Sequence, residues 1–325
     1  MITIDRRAML RGFGMAGIAA MVPGCMQEQQ AAASTRFFDR IGKPIGIQLY
    51  ALVGQDPVAD PAALFAQVAQ MGYGEIELPN LLGQEPATLK AAADAAGIKL
   101  SSLHVPAVPF SPNDGLTFEA GPDAVAEAAN ALGINYVVIP FPVLPGEFSI
   151  GEGEGFPEAL ARTFAGVGLD HWRATAERFN QIGQSMKDRG ITVAYHNHNL
   201  EFAPLEGSTP WAVLMAETDP ELVQVQLDLG WVAQSGTDPL AELRALGPRV
   251  SSLHVKDLTL ADGPTFYFGM NPTELGEGVM DWKAILPAAE EAGVVHYFVE
   301  QEPPFAIPRE EAMQKNADFL LALEA

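Results

Sequence analysis

His196 and His198 stand two residues apart at the end of the β-branched run 191–195, in the stretch ITVAYHNHNLEF. In an extended strand, residues i and i+2 share one side, so both imidazoles face one space at the carboxyl end of that run. Six histidines serve the whole chain, and further runs end in comparable groups: Glu75 and Glu77, His104, Asp228, then His254 with Lys256 and Asp257, then Glu300 and Glu302. Charged side chains drawn into a protein interior are costly unless paired or bound to a metal. Four or more converging His and carboxylate groups are most simply stabilised by a divalent cation. The single cysteine, Cys25, excludes a thiolate metal site and an internal disulfide framework. Mixed nitrogen and oxygen donors suit Mn²⁺, Mg²⁺, Co²⁺ or Zn²⁺ without choosing among them. Each residue also has a plainer role open to it. Asp228 could cap a helix, His254 could bond to backbone in the core, and Glu300 could pair with Lys256. Trp231 could simply pack.

The elements that must position these groups repeat one unit: a short β-rich run, a polar loop, an amphipathic helix, then glycine. The runs are IGIQLY (45–50), YGEIEL (73–78), LSSLHV (100–105), NYVVIPF (135–141), ITVAYH (191–196), VQVQLDL (223–229), VSSLHV (250–255) and HYFVEQ (296–301). Helix starts are marked at Asp60-Pro61, Pro122-Asp123, Pro210 and Asp238-Pro239. Gly72, Gly97, Gly133, Gly190 and Gly293 fall where a left-handed residue ends a helix. Eight such units over about 260 residues predict a single (β/α)₈ TIM barrel over residues 41–325. An open doubly wound sheet is the weaker alternative, since no GxGxxG turn follows the first run. Two long connections, 142–169 and 258–280, follow strand ends and would overhang the barrel mouth.

The formal charge of −22 argues against nucleic-acid and anionic-membrane partners, which need a basic face. At the N-terminus, Arg6-Arg7 precede a short apolar stretch, residues 12–24, in the pattern of a twin-arginine export signal. Val22-Pro23-Gly24-Cys25 then resembles a lipoprotein box with Cys25 as the lipid anchor. Residues 1–25 therefore read as signal peptide and 26–40 as tether, with a periplasmic or membrane-anchored extracytoplasmic location expected.

The pieces GIQLY, YHNHNLEF, QLDLGW, LHVKD, ELGEGVMDW and FVEQE, spanning residues 45–302, together resemble the xylose isomerase-like barrel superfamily. That superfamily includes sugar phosphate isomerases/epimerases, hydroxypyruvate isomerase, inosose dehydratase and endonuclease IV. The resemblance implies one metal held from strands 5, 6, 7 and 8, which by position means His196 or His198, Asp228, His254 and Glu300. Many relatives read Glu-Asn-His at strand 5, and this chain reads His196-Asn197-His198. It further implies a divalent-metal-dependent isomerase or epimerase working through an enediolate on a small keto- or aldo-sugar. Glu302, His198, Glu77 and Lys256 are the catalytic candidates, and His104, Trp231 and Asp257 the substrate contacts. Loss of a β-leaving group from the same intermediate would instead make a lyase or dehydratase of a 3-keto sugar, 3-keto-glycoside or keto-inositol. A non-catalytic carbohydrate-binding lipoprotein is the third reading. Endonuclease activity is disfavoured by the charge, and barrels of this kind often form homo-oligomers.

Overall fold

The computed structural model describes residues 35–109, 115–146, 148–260 and 263–325. The expected export signal, Cys25 and most of the tether lie outside the described residues.

Eight parallel strands close into a barrel. They are β1 (Gly46–Gln48), β2 (Glu75–Leu78), β3 (Lys99–His104), β4 (Tyr136–Ile139), β5 (Thr192–His196), β6 (Val223–Asp228), β7 (Val250–Val255) and β8 (His296–Val299). The ring closes where β8 pairs with β1, Phe298 opposite Gly46. Each expected run coincides with its strand, β3 alone starting one residue ahead of its run, at Lys99. The pairing register shifts at Ile76/Glu77 and at Val225/Gln226, and such bulges re-aim the side chains beside them.

The helix signals act as expected. Asp60 accepts from Ala63 N at 3.0 Å, and Asp238 accepts from Leu240 N at 2.9 Å. Gly97, Gly133 and Gly293 end their helices in the left-handed region. Outward-facing strand residues such as Val137, Val225, Leu253 and Tyr297 pack beneath these helices. The barrel interior is unusual in being polar. Where branched apolar side chains usually fill it, Gln48, Glu75, Glu77, Ser102, His196, Gln226, Ser252 and His254 are buried instead.

Three segments differ from expectation. The connection 142–169 is no simple loop: it carries a helix, Phe156–Phe164, and leads into the long helix Leu169–Lys187. The connection 258–280 folds back as a short antiparallel ribbon, Asp257–Leu258 against Pro272–Thr273. Finally, Phe37–Ile41 is helical rather than tether. Phe37 and Phe38 stack edge-on against Tyr297 at 6.1 and 5.5 Å, and burying two adjacent phenyl rings ties this helix to the barrel. Among the described residues no helix is long and apolar enough to cross a membrane.

Candidate metal centre and active site

Glu77 is fully buried at the centre of a polar network. Its Oε2 accepts from Ser102 Oγ at 2.6 Å and Gln226 Nε2 at 2.7 Å. Its Oε1 accepts from Gln48 Nε2 at 3.0 Å and His254 Nε2 at 2.6 Å, with His104 Nε2 also 3.0 Å away. Burial alone would raise its pKa, but His104 and His254 hold the carboxyl well below the usual range. Glu77 is thus an anionic anchor with both oxygens occupied. With both oxygens taken by protein donors, it serves to orient His254 and His104.

His254 turns its other nitrogen upward. Nδ1 lies 2.9 Å from Glu300 Oε2 and 3.5 Å from Asp228 Oδ2. The ligand atoms of Asp228, His254 and Glu300 all lie within 4.8 Å of one another, and all three residues are buried. Asp228 Oδ1 caps the helix Leu229–Gln234 by accepting from Trp231 N at 2.8 Å. Its Oδ2 receives no hydrogen bond although it is buried. An orphaned carboxylate oxygen, an imidazole oriented by a carboxylate behind it and a second carboxylate form a donor set that fits a divalent ion.

Lys256 occupies the same space from β7's end. Its Nζ is 2.9 Å from Asp228 Oδ2, 2.8 Å from Glu300 Oε2 and 2.8 Å from Glu302 Oε1. The contact to Asp228 is an ion pair off the direction of a hydrogen bond, which is why Oδ2 remains orphaned. Burial opposes charge on Lys256, yet Asp228, Glu300 and Glu302 together hold its pKa well above the ordinary lysine value. Burial also works against Glu300, but Lys256 and His254 keep it ionised far below its usual range. Glu302 behaves oppositely. Burial, seconded by Glu300, pushes its pKa up against the pull of Lys256, and solvent tempers this because its side chain is 19% exposed.

The strand-5 histidines separate. His196 Nδ1 meets Gln226 Oε1 at 3.1 Å, and its ring lies 4.5 Å from that of His254. It groups with His104 and His254 rather than with the Asp228–His254–Glu300 set. His198 sits farther out, its ring 5.6 Å from Trp231 and 4.9 Å from Phe268, with Nδ1 unpartnered. Burial, then neighbouring positive groups, lower the pKa of both imidazoles, so both are neutral. The intervening asparagines are clamps. Asn197 Oδ1 accepts from Asp228 N at 2.9 Å, and Asn199 Oδ1 accepts from Phe268 N at 3.0 Å.

The remaining candidates divide between site and scaffold. His104 joins the buried network through Gln226 Oε1 at 3.1 Å. Trp231 packs at the mouth with Lys256 Nζ 4.9 Å from its ring. Asp257, expected to contact substrate, is committed elsewhere. It accepts from Leu258 N at 3.0 Å, Gly276 N at 2.9 Å, Met280 N at 3.2 Å and Trp282 Nε1 at 3.0 Å, which pins the following loop. Gln48, Gln226, Ser102, Glu201 and Phe268 were not anticipated. The Gln226-x-Asp228 alternation placed Gln226 on the site's side of β6, and that spacing was the available signal.

The sequence pattern of the xylose isomerase-like TIM barrel family matches residues 65–323. The inosose dehydratase of Clostridium beijerinckii is 27% identical over 158 residues, 45% of this chain and 52% of that protein. The chain therefore spans about half the length of the curated relatives it matches. A solved sugar phosphate isomerase/epimerase from Parabacteroides distasonis is 24% identical with a TM-score of 0.68, covering 87% of this chain and 99% of that one. The IolI protein, solved with a bound zinc atom, is 15% identical with a TM-score of 0.60, covering 86% and 98%. With residues 65–323, most of its length, matched, the chain belongs to the xylose isomerase-like TIM barrel family.

Proposed function

We propose that this chain is a divalent-metal-dependent isomerase or epimerase of a small keto- or aldo-sugar, working by proton transfer next to a carbonyl. The observation that carries this reading is the buried convergence of Asp228, His254 and Glu300 at the carboxyl ends of β6, β7 and β8. Those three would hold the ion, with His196 the adjacent imidazole. Bound there, a divalent ion polarises a substrate carbonyl and acidifies the neighbouring C–H. A zinc atom in the similarly folded IolI protein supports a metal here without selecting its identity.

The chain's own groups supply the proton transfers. Glu302, partly exposed and raised in pKa, is placed to take a proton at the mouth. His198, neutral on the β5 side, is the second acid/base candidate. Return to the neighbouring carbon gives isomerisation, and return to the opposite face gives epimerisation. Lys256 balances the negative charge of Asp228, Glu300 and Glu302 beside the reacting sugar.

A second reading, β-elimination by a dehydratase or lyase of a keto-inositol or 3-keto sugar, is favoured by the relatives named inosose dehydratase. It needs a base for the proton next to the carbonyl, which Glu302 would supply, and a proton for the departing hydroxyl, which Glu302 would return so that water leaves. The Arg6-Arg7 segment and Cys25 further support action outside the cytoplasm, with Cys25 as the lipid anchor.

The deciding experiment incubates the Mn²⁺-loaded chain with keto-sugars and inososes in D₂O. Deuterium in a recovered isomer supports the first reading, and release of an eliminated hydroxyl supports the second. Stoichiometric metal with neither outcome, or less than about a tenth of an equivalent of bound metal, sinks both.

A further inference from the structure

Phe268 is held in a conformation that a bulky residue rarely adopts. Its φ is +62°, in the left-handed region that glycine favours. Asn199 stabilises this turn from both sides: its Oδ1 accepts from Phe268 N at 3.0 Å, and its Nδ2 donates to Phe268 O at 3.1 Å. Thr265 Oγ1 adds a donation to Phe268 O at 2.9 Å. Asn199 belongs to the strand-5 motif, so the segment that brings the histidines into the barrel also fixes this ring. Backbone strain of this kind persists where its surroundings over-determine it, commonly at ligand contacts.

The ring packs in an aromatic cluster beside the strand-5 histidines. Its centroid lies 4.9 Å from His198, 4.9 Å from Trp231 and 5.3 Å from Phe156. Phe141 completes the wall, 5.1 Å from His198. Phe156 is 36% exposed, so the aromatic surface continues to the rim. Within it two buried polar atoms, His198 Nδ1 and Trp231 Nε1, have no hydrogen-bond partner. An apolar wall with two unsatisfied ring nitrogens matches a ring with flat C–H or π faces and hydroxyl edges. It does not match a phosphate. Lys256 is held by three carboxylates, and Arg309 is stacked on Phe305 at 5.1 Å.

We infer that Phe268, Trp231, His198 and Phe156 form a subsite beside the metal centre for the second ring of an unphosphorylated glycoside. This rests on the reading that the reacting sugar lies at Asp228, His254 and Glu300. Phe268 supplies the stacking face, His198 Nδ1 and Trp231 Nε1 supply polar contacts at the ring edge, and Asn199 is the positioning residue.

Calorimetric titration of the Mn²⁺-loaded chain with phenyl β-D-glucopyranoside, methyl β-D-glucopyranoside and glucose 6-phosphate tests this. The phenyl glucoside should bind roughly 3- to 10-fold more tightly than the methyl glucoside. Phe268→Ala should erase that preference, Phe268→Trp should keep it, and glucose 6-phosphate should bind more weakly than either glucoside. Phe268→Leu, which keeps bulk without an aromatic face, provides a folded comparison should the alanine variant unfold, and it too should lose the preference. Equal affinity for the two glucosides, binding of none of the probes, or a preference surviving in the leucine variant overturns the subsite, as does tight binding of the phosphate. Deuterium exchange separates this from the broader reading: exchange without ring preference defeats the subsite alone, and ring preference without exchange defeats the proton-transfer reading alone.

Discussion

His254 Nε2 lies 2.6 Å from Glu77 Oε1, with both side chains fully buried, so the lower edge of the imidazole is fixed from within the barrel. Burial lowers the pKa of His254, but Glu300 and Glu77 overrule it and hold the ring well above the ordinary imidazole value. With both nitrogens protonated, His254 donates to Glu77 below and to Glu300 above. A metal taking Nδ1 must displace one of these protons and leave the Nε2–H donated to Glu77.

Glu77→Gln should therefore weaken metal affinity about 10- to 100-fold, the usual effect of removing a carboxylate behind a histidine ligand. Titration of metal-free protein with Mn²⁺, followed by calorimetry, measures this. Unchanged affinity would mean that Glu77 serves only the barrel's packing. Metal affinity of the unaltered chain should rise with pH, because binding expels the Nδ1 proton.

Lys256 acts as a built-in cation for Asp228, Glu300 and Glu302, at 2.9, 2.8 and 2.8 Å. Lys256→Met leaves buried carboxylates uncompensated, and the metal-free variant should lose about 3–5 kcal/mol of stability. Because an added ion substitutes for the lost ammonium, Mn²⁺ should raise the melting temperature of this variant more than that of the unaltered chain. Thermal unfolding with and without Mn²⁺ gives the comparison, and equal shifts would show that ammonium and ion do not compete for the same oxygens.

Glu201 is fully buried, accepting from Tyr195 Oη and from His198 N at 3.0 Å. Burial pushes its pKa from 4.5 up to about 8 against the pull of these hydrogen bonds. The folded state thus holds the proton more tightly than the unfolded chain. Its contribution is complete below about pH 4.5 and is lost as pH rises through about 8, on the order of 5 kcal/mol at most. Glu201→Gln, which cannot ionise, should flatten the stability profile across that window in urea unfolding, at a pH-independent loss of about 1 kcal/mol for one hydrogen bond. An equally steep profile in the variant would assign the slope to another group.

The strands were legible because β-branched runs alternate with helices bounded by proline starts and glycine ends. Gly97, Gly133 and Gly293 carry the left-handed φ values expected of them. Strand periodicity also told which side Asp228, His254 and Glu300 face, since side chains alternate strictly. Depth along the barrel axis was not legible. Glu75 and Glu77 read as equivalents of the mouth residues, yet Glu75 lies lower still, accepting from Ser101 Oγ at 2.7 Å and from His296 Nδ1 at 2.9 Å. Depth follows from strand register, which two bulges displace. Gln48 and Gln226 went unread because neutral amides are as common on solvent faces as inside. Phe268 lay hidden in an aromatic loop whose significance depends on the Asn199 clamp.

Asp257 permits the sharpest separation of scaffold from site. Four N–H groups converge on its two oxygens, three from backbone and one from Trp282. Gly278 packs so closely that an added Cβ would collide with Asp257 Oδ1 and Leu258 O. A carboxylate is required because every neighbour donates. Asp257→Asn turns an amide N–H₂ toward one of those donors and leaves it unsatisfied, which should cost about 2–4 kcal/mol. Hydrogen exchange should then quicken across residues 274–282 while the affinity for Mn²⁺, whose ligands Asp257 does not hydrogen-bond, stays within about twofold. If Asp257 touched substrate instead, the same variant would weaken glycoside binding and leave stability and exchange unchanged. Gly278→Ala provides an independent check from the opposite side of the contact. It should reproduce the faster exchange without altering any charge, because the loop can accommodate the methyl group only by withdrawing from Asp257.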